Sequence, residues 1–133
     1  MNKFAVKIIG IIFDPEKRMV LIGKNFDDEL FSFLEGDLLE KEELDKSLKR
    51  VTEEKTGYKI HNLGAVYAEN KISEQKDLLK LYFLCEATSG KDGGKEKPGK
   101  NVEELRWIKP KQIEKELKIK LPTRLKEYIF GLE

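Results

Sequence analysis

The chain has 133 residues, of which 38% are charged, with 26 basic and 25 acidic side chains and a formal net charge of +1. This length predicts a single domain, residues 1–133, because chains of this size bury about two-thirds of their unfolded surface. The balanced charge argues against nucleic acid or an acidic membrane as an obligatory partner, and the single cysteine, Cys85, excludes an intramolecular disulfide and favours a reducing cytoplasm.

The N-terminal part of the chain predicts a β-hairpin. Residues 4–13 are rich in β-branched and aromatic side chains, and this apolar run is too short to cross a membrane. Residues 14–17, with the sequence DPEK, have turn chemistry, and residues 18–23 predict the second strand. Residues 31–33 alternate as a short third strand would, and the chain is then predicted to turn at Gly36.

Residues 41–55 predict a helix. They contain no Gly or Pro, acidic residues come first and basic residues last, as the helix dipole favours. Leu44, Leu48 and Val51 form one apolar stripe at helical spacing, and Gly57 suits a helix end that needs a positive φ.

The second half of the chain predicts paired strands followed by helices. Residues 58–69 and 78–88 are rich in strand formers, and the second of these runs, LLKLYFLCEA, is typical of a central strand. Residues 89–100, SGKDGGKEKPGK, predict a mobile loop, which is either a cationic lid over phosphates or a plain connection. Residues 102–108 predict a last strand, and Pro110 and Pro122 suit the starts of C-terminal helices. This order predicts a mixed α/β fold whose sheet is covered on both faces.

One motif in this sequence resembles a known family. The spacing of Gly36, Glu42, Arg50, Gly57 and Tyr58 is similar to the Nudix box, G-x5-E-x7-R-E-U-x-E-E-x-G-U, where U is a bulky apolar residue. The ending RWIKPKQI is also similar to the C-terminal part of that family. The resemblance implies an α/β/α sandwich that hydrolyses nucleoside diphosphates linked to another moiety. It also implies Mg²⁺ or Mn²⁺ held by glutamates on the box helix, since hard cations prefer oxygen ligands.

The sequence departs from the box at the residues that would carry this chemistry. Val51 and Lys55 stand where the family has glutamates, and only Glu54 remains of the three carboxylates expected on one helix face. The expected formal charge of −3 on that face is therefore replaced by zero. Glu54 is the predicted catalytic and metal-binding residue, and Glu35 is a second predicted metal ligand through its carbonyl or its carboxylate. Glu103 or Glu104 is the candidate for a more distant carboxylate.

The retained box residues have a structural role in the resemblance. Glu42 and Arg50 are expected to form an ion pair between the box loop and its helix, with Gly36 and Gly57 serving the backbone. Two functions remain open: a Nudix-type hydrolase with weak metal-dependent activity, and an inactive Nudix-fold module that binds a nucleotide or a protein. A third interpretation is an unrelated α+β domain with an accidental match. The expected partner is a nucleotide-like small molecule, and a homodimer is compatible with the sequence.

Overall fold

The computed structural model describes residues 3–89, 99 and 101–133. Its strands are β1 (Lys3–Asp14), β2 (Met19–Asn25), β3 (Leu34–Asp37), β4 (Lys59–Ile72), β5 (Lys76–Ser89) and β6 (Val102–Ile108). Its helices are α1 (Leu44–Thr56), a 3₁₀ turn (Pro110–Gln112), α2 (Ile113–Glu116) and α3 (Thr123–Phe130). No helix among the described residues is long and apolar enough to cross a membrane.

The strands form one mixed sheet in the order β4-β5-β1-β2-β6, and β3 pairs with β1. The pairing of β1 with β5 is parallel, and the other pairings are antiparallel. The predicted β1–β2 hairpin and the predicted pairing of β4 with β5 are confirmed.

Helices cover both faces of the sheet, so the predicted α/β/α sandwich is confirmed. On one face, Leu48 of α1 packs with Ile8, Ile12 and Leu21 of the central strands. On the other face, apolar residues of the C-terminal segment pack on alternate residues of β1; they are Ile113, Leu117, Leu121, Leu125 and Ile129. Cys85 is fully buried, as predicted, and burial raises the pKa of its thiol to about 12.

The helix begins later than predicted, at Leu44 instead of residue 41. Lys41 has a φ of 61°, which a right-handed helix does not allow, and the N–H of Glu42 closes a turn onto the carbonyl of Leu39 at 3.1 Å. Leu44 is consequently 42% exposed, whereas Leu48 and Val51 are buried as predicted. The end at Gly57 agrees with prediction, since its φ is 74° and its N–H donates to the carbonyl of Glu53.

The third strand also differs from the prediction. It spans Leu34–Asp37, whereas Phe31 and Ser32 form isolated bridges only. Gly36, which was expected in a loop, pairs with Ile8 inside this strand. This position needs a glycine because of its contact with α1, which is described below.

The segment predicted to be a mobile loop or a lid lies largely outside the described residues. Ser89 ends β5, and the N–H of Gly99 donates to the carbonyl of Lys55 at 2.8 Å. A Cβ on Gly99 would collide with the carbonyl oxygen of Glu54. The chain therefore returns to the C-terminal end of α1 before β6 begins.

Candidate functional site

Arg50 joins the box loop to α1. Its Nε donates to Glu42 Oε2 at 2.9 Å, and its Nη2 donates to Glu42 Oε1 at 3.1 Å and to the carbonyl of Asp37 at 2.8 Å. The hydrogen bond from Arg50 is the main cause that lowers the pKa of Glu42 to about 2. The same pairing raises the pKa of Arg50. This bidentate ion pair fixes the loop to the helix, as the resemblance implies.

Val51 fills the space beside Gly36. A Cβ on Gly36 would lie 2.5 Å from Cγ2 and 2.9 Å from Cγ1 of Val51, so only glycine allows this close approach. Val51 is 3% exposed. The helix position where the family has its first metal-face glutamate is thus occupied by a buried hydrocarbon contact.

Lys55 stands at the other substituted position of the box. Its side chain is half-buried, and burial is the main cause that lowers the pKa of its ammonium. The positive charge of Lys7 acts in the same direction, whereas the carboxylates of Glu35, Asp37 and Glu54 favour the charged form. A cationic side chain therefore lies among the carboxylates that a metal ion would need.

Glu54, the predicted catalytic residue, is exposed and receives a long hydrogen bond of 3.5 Å from Arg50 Nη1. The more distant candidates are engaged with cations, because Glu103 pairs with Lys24 at 3.7 Å and Glu104 pairs with Arg106 at 2.9 Å. Within the described part of the chain, no three Asp, Glu, His or Cys side chains converge as metal ligands would. The residues present do not fit a divalent ion held in the manner of the family.

Glu35, the second predicted ligand, faces a different place. It lines a cavity of about 190 Å³ on the sheet face that the C-terminal segment covers, and we call this space the sheet cavity. Its apolar wall consists of Ile9, Phe33, Tyr82, Leu117, Ile119 and Leu121, and its polar lining consists of Asn25, Asp28, Ser32, Glu35, Lys71, Lys80 and Lys118. Polar groups beside an apolar wall can fix the orientation of a small molecule, although this lining is more polar than that of a typical site.

Lys80 is the most unusual side chain of the sheet cavity. It lies in central strand β5 and is 7% exposed, yet it has no hydrogen bond or ion pair with the described residues. Cross-strand pairing puts it in one row with Glu69, Lys7 and Asp37 on the same sheet face. Sequence reasoning missed Lys80, although a lysine inside the apolar run LLKLYFLC is a detectable signal.

A larger cavity, of about 470 Å³, is lined by C-terminal residues between Ile113 and Lys126. Its charged residues include Glu114 and Lys126, which neutralise each other at 2.9 Å. It contains neither Glu35 nor Lys80. The sheet cavity is therefore the better candidate for a ligand site.

Comparison with known proteins places this geometry in a family. The NUDIX domain profile matches residues 3–129. The search among curated proteins finds no match. Among solved structures, the chain is similar to the MutT protein from Methanosarcina mazei Go1, with a TM-score of 0.73, 14% identity and coverage of 98% of this chain and 94% of that chain.

Two further structures give the same result. A NUDIX hydrolase from Nitrosomonas europaea has a TM-score of 0.71 and 14% identity, covering 98% of this chain and 88% of that one. A structure from a study of MutT from Aliivibrio salmonicida and Vibrio cholerae has a TM-score of 0.70 and 15% identity, covering 98% and 100%. At these identities the likeness is one of fold.

Proposed function

This chain belongs to the NUDIX domain family, and on that premise we propose that it binds a nucleotide in the sheet cavity and hydrolyses pyrophosphate bonds slowly or not at all. Members of the family act on nucleotide-like substrates and generally use divalent metals. We expect nucleotide binding to be retained in this chain and metal-dependent hydrolysis to be weak or absent.

The position of Lys55 is the main observation for weak or absent hydrolysis. A divalent ion about 4 Å from its ammonium would be repelled by about 4 kcal/mol per unit of cation charge at the effective dielectric near a protein surface. This figure is an upper bound, because a lysine side chain can swing away. The missing carboxylate at Val51 removes attraction at the same time. Both substitutions therefore act against binding of Mg²⁺ or Mn²⁺.

The composition of the sheet cavity supports nucleotide binding. Tyr82 is 2% exposed, and its ring meets the ring of Tyr67 edge-on at 6.0 Å, which fixes one apolar wall. Asn25 and Ser32 add neutral hydrogen-bonding groups, and Lys80 adds a positive charge. A base or sugar and a phosphate thus each find a suitable surface. The volume is below the range of about 300–1,000 Å³ typical of drug-sized ligands, so the cavity suits one part of a nucleotide.

A weak hydrolase is the second candidate, and the retained carboxylate of Glu54 favours it. In that case Glu54 would be the remaining box carboxylate for Mg²⁺ or Mn²⁺ and for catalysis, whereas the side chain of Glu35 lines the sheet cavity. The cytoplasm is the proposed location for either candidate, because the buried thiol of Cys85 is free.

Two measurements test the proposal. Isothermal titration with a panel of nucleoside diphosphates, nucleoside triphosphates and ADP-ribose measures binding. Release of phosphate or pyrophosphate, or of AMP from ADP-ribose, in Mg²⁺ or Mn²⁺ measures hydrolysis. We expect binding of at least one nucleotide and little or no release. Hydrolysis that is abolished in Glu54→Gln would support the second candidate. Absence of binding to the whole panel would refute the proposal.

A further inference from the structure

We infer that a phosphate group of the bound nucleotide lies directly on the ammonium of Lys80, without a bridging divalent ion. This inference rests on the proposed function and adds the part of the ligand that the sheet cavity recognises. It follows from the pairing of charges around Lys80.

The acidic residues in the row of Lys80 make no ion pair with it. Glu69 lies opposite Lys80 in the register of β4 and β5, but its Oε1 accepts a hydrogen bond from the hydroxyl of Tyr82 at 3.2 Å. On the other side, Lys7 is the partner of Lys80 in β1, and its ammonium pairs with Asp37 at 2.7 Å. Like charges on paired strands repel each other. Lys80 therefore makes no ion pair with the described residues of its own row, although Glu69 is charged.

Burial makes this arrangement costly for the free protein. Most of this side chain is buried, and the partial loss of hydration around its ammonium is not offset by an ion pair with the described residues. Lys80 is 7% exposed, and the opening of the sheet cavity is the place where its charge can meet a ligand. An anion there would supply the missing partner.

The remaining charges of the sheet cavity favour a phosphate. Asp28 and Lys118 neutralise each other at 3.1 Å, which leaves Lys71, Lys80 and Glu35. The charge of Lys55 already acts on Glu35. Two free ammonium groups suit a phosphate group, which has several strong acceptor oxygens and more than one negative charge. The cationic side chains thus supply the neutralising charge that a metal ion would otherwise bring.

Titration with inorganic pyrophosphate tests this inference independently of the nucleobase. The titration is done in EDTA at low ionic strength, because salt screens charge. We expect wild type to bind pyrophosphate and Lys80→Met to bind it at least about tenfold more weakly, which corresponds to about 1.4 kcal/mol. Lys59→Met is the matched control, since Lys59 is an exposed strand residue outside the sheet cavity. We expect its affinity to equal that of wild type.

A thermal melt of the same variants without ligand guards against misfolding. Lys80→Met should melt at a temperature no lower than that of wild type, because it removes a largely buried cationic side chain that makes no ion pair with the described residues. A lower melting temperature would show that Lys80 already stabilises the free protein, and would overturn the inference.

The other outcomes are equally distinct. Pyrophosphate binding that requires Mg²⁺, equal binding by Lys80→Met and wild type, or no pyrophosphate binding at all would each overturn the inference. The proposed function would survive these results as long as a nucleotide binds. If no nucleotide binds with or without Mg²⁺, the proposed function fails as well.

Discussion

The contact between Gly36 and Val51 makes a quantitative prediction. Gly36→Ala places a methyl group 2.5 Å from Val51 Cγ2, so α1 or β3 must move. Overpacking of this kind typically costs about 1–3 kcal/mol of unfolding free energy. Val51→Ala removes two buried methyl groups and should cost about 2 kcal/mol, from about 0.8 kcal/mol per group plus a cavity term.

The double variant Gly36→Ala/Val51→Ala should cost less than the sum of the two changes. The colliding Cγ atoms of Val51 are then absent, and its Cβ lies 3.3 Å from the new methyl group. Independent sites would give a total of about 4 kcal/mol, whereas relief of the collision should bring the total to about 2 kcal/mol.

Urea denaturation followed by circular dichroism measures all four proteins of this cycle. Gly10→Ala is the matched control, because the nearest atom to its new methyl group would be Leu48 Cδ1 at an ordinary 3.6 Å. Additivity within about 0.5 kcal/mol would refute the reasoning. A Gly36→Ala variant as stable as Gly10→Ala would also refute it. Val51 would then not fill the space beside Gly36.

Three further predictions concern the box. Arg50→Ala should lower the melting temperature by several degrees and Lys49→Ala by much less. The reason is that Arg50 donates hydrogen bonds to Glu42 and to a backbone carbonyl, whereas Lys49 pairs with Asp45. Equal effects in thermal melts would contradict this. The pKa of Glu42 falls from 4.5 to about 2 on folding, so its contribution to stability is complete above pH 4.5 and is lost as the pH falls towards 2. Urea unfolding curves of wild type and Glu42→Gln should therefore differ at pH 6 and converge near pH 2; a gap that stays constant would count against the ion pair. Val51→Glu/Lys55→Glu should be less stable than wild type without metal, and Mg²⁺ should raise its melting temperature but not that of wild type; no Mg²⁺-dependent shift would mean that the surrounding loop no longer forms a metal site.

Local sequence signals were sufficient for most of the fold. The strand runs, the DPEK turn and the glycine after α1 each act within a few residues, and the structure contains the corresponding elements. The start of α1 was missed because Lys41 adopts a positive φ, which cannot be predicted from a lysine. The place of β3 was missed because a glycine suggested a turn. Gly36 is required instead by its contact with Val51, 15 positions further along the chain.

The sheet cavity was not predictable in the same way. Its floor requires the register that aligns Lys7 with Lys80 and Glu69 with Lys80, and no local pattern gives such a register. The box, by contrast, is a local motif, so its missing carboxylates could be identified from spacing alone. The sequence therefore indicated the missing carboxylates of the box, and the structure was needed to find Lys80 in the sheet cavity.

The parallel pairing of β1 with β5 has a consequence for how the protein folds. Residues 3–13 of β1 each pair with a residue 73 positions later, as Lys3 does with Lys76, so a long loop must close before this central pair forms. Closure of such loops costs chain entropy, and folds with distant pairings fold slowly. Lys7 and Lys80 become neighbours only when β1 pairs with β5. The ligand site should therefore form late in folding. Recovery of ligand binding during refolding would then follow the slowest folding phase.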